Sequence, residues 1–417
     1  MLIPSILFSQ VDFTCSNLPI ILIDTDGQEI VDSPKITANM KVIWGEGLNH
    51  VDDNLFSYDG QIGIEIRGSS SQSFPKKQYG FETQNPDRSN NNVSLLGMPE
   101  ENDWILNAPY VDKSLIRNVL AYTISNQLGF YAPKTQLCEV LINGEYVGVY
   151  VLTEKIKRDV NRVDISRLNA NDNFGDDVTG GYIIKIDKQT GTSCDNNFYT
   201  SIENTEIQYE YPKCDKITEC QMEYINAYID DFENALYSEK FRDPSIGFRK
   251  YIDVETYINM FICIEMAKNV DGYNLSSFLS KDRESLGGKL TFGPIWDYNF
   301  GFGNALYNGG DETCGLIADH YWKPWCNRLL LDSNFVNEIQ STYMNARQEV
   351  LSDKNVIGII DSLVNILHAP QARNFQKWDV IGQSIWPNHF VGNSYYDEVE
   401  FLKWWFLDRL AWLDNNL

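Results

Sequence analysis

The stretch that decides the fold runs Lys268-Asn-Val-Asp-Gly-Tyr-Asn-Leu275, then Ser276-Ser-Phe-Leu-Ser-Lys281, and ends Gly287-Gly-Lys-Leu-Thr-Phe-Gly-Pro-Ile-Trp-Asp297. Residues 275–281 and 289–295 are strand-like, and the paired glycines between them are a turn signal, so the pattern predicts a β-hairpin. Paired strands lie about 4.8 Å apart. Asp271, before the first strand, and Asp297, after the second, are therefore expected at the same end of the hairpin.

The two aspartates have asparagines close by in sequence, Asn274 and Asn299. Carboxylate and amide oxygens are hard ligands of the kind that suit Mg²⁺ and a nucleotide phosphate. Protein kinases use a related plan, in which a catalytic-loop Asp and Asn precede a hairpin and a metal-binding Asp follows it. The alternative is that Asp271 opens an ordinary turn and Asp297 caps another, since Asp is common in turns. Geometry alone leaves both interpretations open.

Composition narrows the class of protein. The chain has 417 residues, enough for one large or two to three ordinary domains. Its hydrophobic content of 43%, with 13% aromatic residues, is high enough to exclude disorder of the whole chain. Its net charge of −24 argues against a nucleic-acid partner and against anionic membranes, and favours basic protein partners. The sequence contains no apolar run of about 18 residues, so it predicts no transmembrane helix.

The N-terminus and the cysteines indicate whether the protein is located inside or outside the cell. Residues 1–10 resemble the end of a secretory signal, with a short strand as the alternative, and we assign residues 1–20 to an N-terminal arm. Cys138 and Cys263 lie in apolar runs and are predicted to be buried thiols. No CxxC pair occurs, and four histidines argue against a zinc site. Five further cysteines lie in polar segments where disulfides could form outside the cell: Cys194, Cys214, Cys220, Cys314 and Cys326.

The first part of the chain, residues 21–190, is predicted to be a β-rich N-terminal lobe. Ile36 to Ile43 reads as a strand, and Ile62, Ile64 and Ile66 alternate as one buried face. The dipeptide Asn143-Gly144 predicts a type I′ hairpin between strands 137–142 and 146–153. A helix is predicted over residues 112–128, capped by Asp112 and ended by Gly129.

The remainder, residues 191–417, is predicted to be a mainly helical C-terminal lobe that contains the hairpin at residues 268–300. One helix carries an apolar stripe from Met222 to Leu236, and another, capped by Asp253, is apolar almost all round and so predicted to be buried. Further helices are predicted at about 335–350, 355–367 and 396–414. The fold class is α+β, in a two-lobed arrangement similar in order to a protein kinase.

A loop rich in small residues could contact phosphates. Arg67-Gly-Ser69-Ser-Ser-Gln-Ser-Phe-Pro-Lys76-Lys77 offers hydroxyls, main-chain N–H groups and cations between two strands, although the Walker A pattern is absent. Lys155, at the end of the strong hairpin strand, could add a cation, as could Lys188. A solvated turn and an ordinary basic turn are the alternatives.

Six segments together resemble the spore-coat CotH kinase-like family. They span roughly residues 60 to 305 and occur in the family's order, which makes them more specific than any one motif. The resemblance implies an atypical protein kinase fold that transfers the ATP γ-phosphate to serine or threonine of a protein. The matching segments are residues 64–77, 102–118, 144–158, 180–188, 268–273 and 293–304.

The same resemblance implies roles for individual residues, with ATP and Mg²⁺ or Mn²⁺ as cofactors. Asp271 would be the catalytic-loop acid, and Asp297 would bind the metal. Spore-coat members place a His-Asn pair shortly after the catalytic Asp, where this chain has Tyr273-Asn274, so Asn274 and Asn299 compete as the second metal ligand. Residues that would approach the phosphates are Arg67, Ser69, Lys76, Lys77 and Lys155.

Two other classes of function remain open from the sequence, each with a secreted or cell-surface location. One is a non-catalytic surface or carbohydrate-binding protein on the same fold, with tryptophans as sugar platforms; core packing is their ordinary role. The other is a glycoside hydrolase that uses Asp271 and Asp297 as acid and base, with carboxyl groups about 5–9.5 Å apart. For the kinase, the expected substrate is a basic, Ser-containing protein. The tryptophans concerned are Trp104, Trp296, Trp322 and Trp325.

Overall fold

The structure is a computed structural model that describes residues 11–189, 197–319 and 323–417. The strands are β1 Cys15–Ser16, β2 Ile20–Asp24, β3 Ile36–Ile43, β4 Asn49–His50, β5 Tyr58–Arg67, β6 Gln78–Gln84, β7 Asp103–Asn107, β8 Thr135–Ile142, β9 Glu145–Glu154, β10 Tyr182–Ile186, β11 Asn197–Tyr199, β12 Glu206–Tyr211, β13 Ser277–Lys281 and β14 Leu290–Phe292. The helices are α1 Arg117–Gln127, α2 Glu219–Tyr237, α3 Val254–Ala267, α4 Cys326–Leu329, α5 Ser333–Gln348, α6 Asp353–Ile366, α7 Pro370–Lys377 and α8 Tyr395–Asn416. This mixture confirms the predicted α+β class.

The chain divides into two compact units that are interleaved in sequence. Unit 1 contains the residues up to Val119, Lys134–Lys155 and Ile357–Phe401, and unit 2 contains Leu120–Pro133, Ile156–Val356 and Leu402–Leu417. The predicted boundary near residue 190 differs from this division, because residues 156–189 join unit 2 and residues 357–401 join unit 1. The two-lobed kinase arrangement stays a prediction.

Unit 1 is built on a closed barrel of seven strands in the order β2-β3-β5-β6-β7-β9-β8. Neighbours are antiparallel except β2 and β8, whose parallel pairing closes the barrel. The alternation predicted for β5 is confirmed, since Ile62 and Ile64 are fully buried in the barrel core and Ile66 packs against it. Asn143 and Gly144 both have positive φ at the β8–β9 turn, as a type I′ turn requires.

The N-terminal arm lies partly outside the described residues. The secretory-signal prediction concerns residues 1–10, of which the structure gives no description. Residues Cys15–Ser16 pair with Asn49–His50, and Ile20 is buried at the start of β2. The second half of the predicted arm is therefore part of the fold of unit 1.

Two helical features differ from the sequence prediction. The helix predicted from Asp112 begins only at Arg117, because Leu115 has a φ of 67° and the chain turns there. The Asp112 carboxylate accepts hydrogen bonds from Ser114 N (3.1 Å) and Arg117 N (2.8 Å), so it closes this turn. Helix α7, which the sequence analysis did not predict, packs on β9 of the barrel.

Unit 2 contains a five-stranded antiparallel sheet in the order β11-β12-β10-β13-β14, together with α2 and α3. Asp253 caps α3 by accepting from Glu255 N (3.1 Å) and Thr256 N (3.5 Å), as predicted. Eleven consecutive residues of α3, Tyr257 to Ala267, are buried. This confirms the prediction of a helix that is buried almost all round and ends just before Asp271.

A buried ion pair fixes the C-terminal part of α3 in unit 2. Glu265 and Arg409 are both 0% exposed, and Arg409 Nη2 lies 3.1 Å from Glu265 Oε2. Three more donors, the Ile317 and Ala318 N–H groups and the Tyr273 hydroxyl, reach the same carboxylate at 2.8–3.2 Å. Every lone pair of Glu265 thus faces a donor, which is the condition for a buried ion pair to be tolerated.

Among the described residues, the cysteines include three buried thiols, three thiols at least partly accessible to solvent, and one disulfide member. Cys138 and Cys263 are buried free thiols, as predicted, and burial raises the pKa of each to about 12. Cys214 is disulfide-bonded, whereas Cys220, Cys314 and Cys326 are free, which corrects the disulfide expectation for these three. Cys194 lies outside the described residues. Across the described chain, the helices are too short or too polar for any of them to span a membrane.

Candidate active site

The predicted hairpin is present in unit 2, with strands shorter than the sequence indicated. Strand β13 pairs antiparallel with β14, and Leu279 faces Phe292 while Lys281 faces Leu290. Gly287 has a φ of +99° in the connecting turn, a backbone conformation that favours glycine. Asp271 precedes β13 and Asp297 follows β14, so both lie at the end of the hairpin opposite its turn.

The backbone of Asp271 is fixed by a compact turn at the end of α3. Lys268 leaves the helix with a φ of 45°, and the Asp271 carbonyl accepts hydrogen bonds from Asn274 N (3.3 Å) and Leu275 N (2.9 Å). Because α3 is buried and its end is tied to the Glu265–Arg409 pair, this turn starts from a rigid base. Such a base is what a positioned catalytic group requires.

The backbone of Asp297 is held in the left-handed region, with a φ of 61°. Its N–H donates to the Tyr122 hydroxyl oxygen at 3.1 Å, and its carbonyl accepts from Asn269 Nδ2 at 3.3 Å. The second bond ties Asp297 to the segment that carries Asp271. Strained non-glycine backbone of this kind concentrates at functional sites. Between residues 268 and 302, the non-glycine residues with positive φ are Lys268, Tyr273, Ser276, Asp297 and Phe302.

Tyr307 contacts Asp271 and lies within the electrostatic influence of Asp297. Its hydroxyl donates to Asp271 Oδ1 at 3.2 Å. Burial raises the pKa of Tyr307 well above its ordinary value, and the negative charges of Asp271 and Asp297 raise it further. One phenol hydroxyl therefore lies within the electrostatic reach of both carboxylates, which places them in the same neighbourhood of unit 2. No local sequence signal pointed to Tyr307, which lies in the loop after the hairpin.

The charge of Asp271 is balanced by several groups. Burial raises the pKa of its carboxyl group above the usual range, and the negative charge of Asp187 raises it further. The Tyr307 hydrogen bond and the positive charges of Lys188 and Lys323 lower the pKa and so oppose that rise. Lys323 is 6% exposed, and its ammonium donates to the Gly272 carbonyl at 3.4 Å. The sequence indicated Lys188 as a further cation near the predicted phosphate site, whereas no sequence pattern indicated Lys323.

Three asparagine oxygens in this region have no hydrogen-bond partner among the described residues. They are the buried side-chain oxygens of Asn269, Asn274 and Asn299. A buried polar atom without a partner costs about 1–3 kcal/mol, so such atoms point to a missing ligand or water. Asn274 and Asn299 are the two residues that the sequence offered as competing metal ligands, and both keep an oxygen available.

This donor set fits Mg²⁺ or Mn²⁺. The described residues contain no group of three or more His, Cys, Asp or Glu side chains arranged to hold a metal ion. Mg²⁺ is commonly bound through one or two carboxylates together with waters and substrate phosphates, so it does not need such a group. Asp297 with Asn274 or Asn299 would supply protein oxygens of the right kind.

The residues predicted to contact phosphates belong to unit 1, whereas Asp271, Asn274, Asp297 and Asn299 belong to unit 2. Arg67 ends β5, and Ser69 is exposed just before a short 3₁₀ helix, Ser70–Ser73. The Lys77 ammonium donates to the Gln72 carbonyl at 2.6 Å, and Lys155 lies 3.5 Å from the Asp103 carboxylate. These phosphate roles stay predictions.

Lys76 differs from the other predicted cations because it is 1% exposed. Its ammonium donates to the Val149 carbonyl at 2.6 Å and to Asn374 Oδ1 at 2.8 Å, which joins β9 to α7 within unit 1. Burial lowers its pKa to about 7. A group enclosed in this way has no room for a phosphate, so the structure argues against the phosphate role predicted for Lys76.

The sequence profile of the family described as CotH kinase protein matches residues 64–413. The chain belongs to the CotH kinase family. It is also 25% identical over 283 residues to the inner spore coat protein H of Bacillus subtilis (strain 168), an alignment that covers 66% of this chain and 67% of that protein. The resemblance inferred from the six sequence segments is thereby confirmed.

Two of the tryptophans proposed as sugar platforms in this CotH family member are core residues. Trp104 is 1% exposed inside the barrel of unit 1, and Trp325 is 2% exposed in unit 2, where its indole donates to Glu233 Oε1 at 2.7 Å. Trp296 stacks on Tyr122 with ring centroids 6.0 Å apart. Trp322 lies outside the described residues. The carbohydrate-binding alternative loses two of its four platforms.

A cavity of about 410 Å³ lies beside the hairpin of this CotH family member, within unit 2. It is lined by the hairpin turn, β14 and the first residues of α3, including Asp253, Thr256, Asp282 and Thr291. Neither Asp271 nor Asp297 lines it. We place the candidate chemistry at the two aspartates, because the orphaned oxygens and strained backbone lie there.

Proposed function

We propose that this CotH family member is a protein kinase that transfers the γ-phosphate of ATP to a serine or threonine of a protein substrate. The observation that carries the proposal is the position of Asp271 and Asp297 at the open end of one hairpin, where the Tyr307 hydroxyl donates to Asp271 at 3.2 Å and the charge of Asp297 also acts on that hydroxyl. The family's kinase fold, with a β-rich and a helical lobe, is part of the same proposal.

Asp271 is proposed to act on the acceptor. Its Oδ1 accepts from Tyr307, and its Oδ2 has no donor among the described residues. In the proposed reaction, Oδ2 accepts the proton of the substrate hydroxyl while that oxygen forms its bond to the γ-phosphorus. The bond from the γ-phosphorus to its bridging oxygen breaks, and ADP leaves with the electron pair.

Asp297 is proposed to hold the metal ion, with Asn274 or Asn299 as the second protein ligand. A bound Mg²⁺ or Mn²⁺ supplies positive charge that offsets the charge of the nucleotide phosphates. The support for this assignment is the carboxylate of Asp297 together with two buried asparagine oxygens that have no partner within the described part of the chain. The hydrogen bonds of the Asp297 backbone would keep its carboxylate in one position.

The remaining roles follow from the family resemblance. Arg67, Ser69, Lys77 and Lys155 are proposed to contact nucleotide phosphates, whereas the burial of Lys76 favours a structural role. A net charge of −24 favours a basic, Ser-containing protein substrate and opposes nucleic acid. Because a relative is a spore coat protein, we propose a surface or extracellular location.

The proposal is tested by phosphoryl transfer. With γ-labelled ATP and Mn²⁺ or Mg²⁺, the wild type should label itself or a basic Ser-containing protein. Asp271→Asn should lower the transfer rate by about 10²- to 10⁴-fold, the range for loss of a general base.

The matched control is Asp231→Asn, an exposed aspartate of α2, which should transfer at the wild-type rate. Equal rates for Asp271→Asn and the wild type would refute the catalytic assignment. Glycan binding without transfer would instead indicate a non-catalytic surface protein, and glycan cleavage would indicate a hydrolase.

A further inference from the structure

Tyr307 is the one residue of the described chain that donates a hydrogen bond to the Asp271 carboxylate. The bond goes to Oδ1, at 3.2 Å. The tyrosine ring is half-buried and packs edge-on against Phe300, with ring centroids 6.5 Å apart. The loop that carries Tyr307 is closed by a turn in which Gly310 N donates to the Tyr307 carbonyl at 3.0 Å.

The consequence for Asp271 is an asymmetric carboxylate. One oxygen is occupied by a donor of the protein, and the other has none among the described residues. A carboxylate anchored through one oxygen cannot rotate freely about its Cβ–Cγ bond, so the remaining oxygen keeps one direction. Orientation of this kind can contribute several orders of magnitude to a rate.

Other groups near this pair do not replace the hydroxyl. Lys188 and Lys323 act on Asp271 through their charge, and the Lys323 ammonium is directed at the Gly272 carbonyl. Asp187 and Asp297 add negative charge nearby. Negative surroundings keep the phenol protonated, so Tyr307 remains a donor.

We propose that Tyr307 is a positioning residue of the phosphoryl-transfer reaction, which holds Asp271 so that Oδ2 faces the acceptor hydroxyl. This inference rests on the proposed kinase function. It assigns a task to the loop after the hairpin, for which the sequence offered no kinase motif. It also predicts a loss confined to the chemical step, because Tyr307 contacts Asp271, the residue assigned to the acceptor hydroxyl.

The first test compares Tyr307→Phe with Tyr307→Leu. Phenylalanine keeps the ring that packs on Phe300 and removes only the hydroxyl. Tyr307→Phe should lower kcat about 10-fold or more while the KM for ATP stays within about twofold of the wild-type value. Tyr224→Phe is the matched control, because it removes a 2.9 Å tyrosine–carboxylate hydrogen bond to Glu284 elsewhere in unit 2, and it should leave kcat unchanged.

The outcomes distinguish positioning from packing. If Tyr307 served only to pack, Tyr307→Phe would match the wild type and Tyr307→Leu alone would be impaired, which would overturn the inference. An equal loss in Tyr224→Phe would also overturn it, because the effect would then belong to any such hydrogen bond.

A second measurement does not depend on activity. In protein labelled with [¹³Cζ]-tyrosine, the Tyr307 resonance, assigned with Tyr307→Phe, should shift in Asp271→Asn and stay in place in Asp231→Asn. No shift would show that the hydrogen bond is absent and would overturn the inference. The resonance could also shift in Asp271→Asn while the wild-type protein transfers no phosphate. That result would show that the hydrogen bond exists, but it would refute the proposed kinase function and with it the catalytic task of Tyr307.

Discussion

Unit 2 contains two carboxylates six residues apart whose surroundings differ in the number of hydrogen-bond donors. Glu265 lies in α3, and Asp271 lies just after that helix. Burial raises the pKa of both. Glu265 is saturated by Arg409, two backbone N–H groups and the Tyr273 hydroxyl. Among the residues that the structure describes, Asp271 has a single donor, Tyr307, and three nearby asparagine oxygens have no partner. Saturation stabilises the fold, whereas an incomplete shell leaves oxygen atoms of the protein available to a ligand.

The largest expected effect comes from breaking the saturated shell. Glu265→Ala leaves the buried Arg409 without its counter-charge, so the free energy of unfolding should fall by about 3–5 kcal/mol. The measurement is urea-induced unfolding followed by tryptophan fluorescence. The double variant Glu265→Leu/Arg409→Met should recover much of the loss, because it removes both charges.

The control for this comparison is Glu239→Ala, an exposed glutamate, which should change the free energy of unfolding by less than about 0.5 kcal/mol. A Glu265→Ala variant as stable as this control would show that the ion pair does not hold α3.

A smaller, pH-dependent effect is expected from Lys76 in unit 1 over the range from pH 7 to pH 9. Its pKa is lowered from 10.5 to about 7 by burial. The unfolded chain therefore binds more protons than the folded one between about pH 7 and 10.5, so stability should rise with pH across that window. The slope should approach about 1.4 kcal/mol per pH unit at its steepest.

Lys76→Met should lose this slope relative to the wild type, as urea unfolding at pH 7, 8 and 9 would show. Lys41→Met, at a surface lysine of β3, should keep it. A Lys76→Met variant with the wild-type slope but weakened ATP binding would restore the phosphate role that the structure argues against.

The smallest effect on stability is expected at Asp271 itself. Burial disfavours its charge, so the neutral Asp271→Asn should have a melting temperature equal to or slightly above that of the wild type without metal or nucleotide. Asp253→Ala removes a helix cap and should cost about 1 kcal/mol. If thermal unfolding showed Asp271→Asn to be destabilised as much as Asp253→Ala, Asp271 would be a structural residue like Glu265.

Local patterns predicted the elements that depend on local chemistry. The Gly287-Gly288 turn, the Asn143-Gly144 turn and the Asp253 cap were all readable, because each is decided by a few neighbouring residues. Contacts between residues far apart in the sequence could not be predicted in this way. Asn374 reaches Lys76 across 298 positions, and Arg409 reaches Glu265 across 144.

The candidate site follows the same rule. Asp271 and Asp297 could be paired from sequence because a hairpin joins them. Tyr307 could not, because it approaches Asp271 from a loop without regular structure, where side-chain direction has no periodicity to reveal it. The burial of Lys76 was also hidden, since a lysine in a polar loop is ordinarily exposed.

The most direct test of the central claim is calorimetric binding of ATP in the presence of Mn²⁺ or Mg²⁺. The wild type and Asp271→Asn should bind metal–ATP with similar Kd, because Asp271 is assigned to the acceptor hydroxyl. Asp297→Ala should weaken binding at least about 10-fold, because its carboxylate is assigned to the metal. A wild type without metal-dependent nucleotide binding at millimolar ATP would contradict the claim and leave the non-catalytic surface protein as the better interpretation.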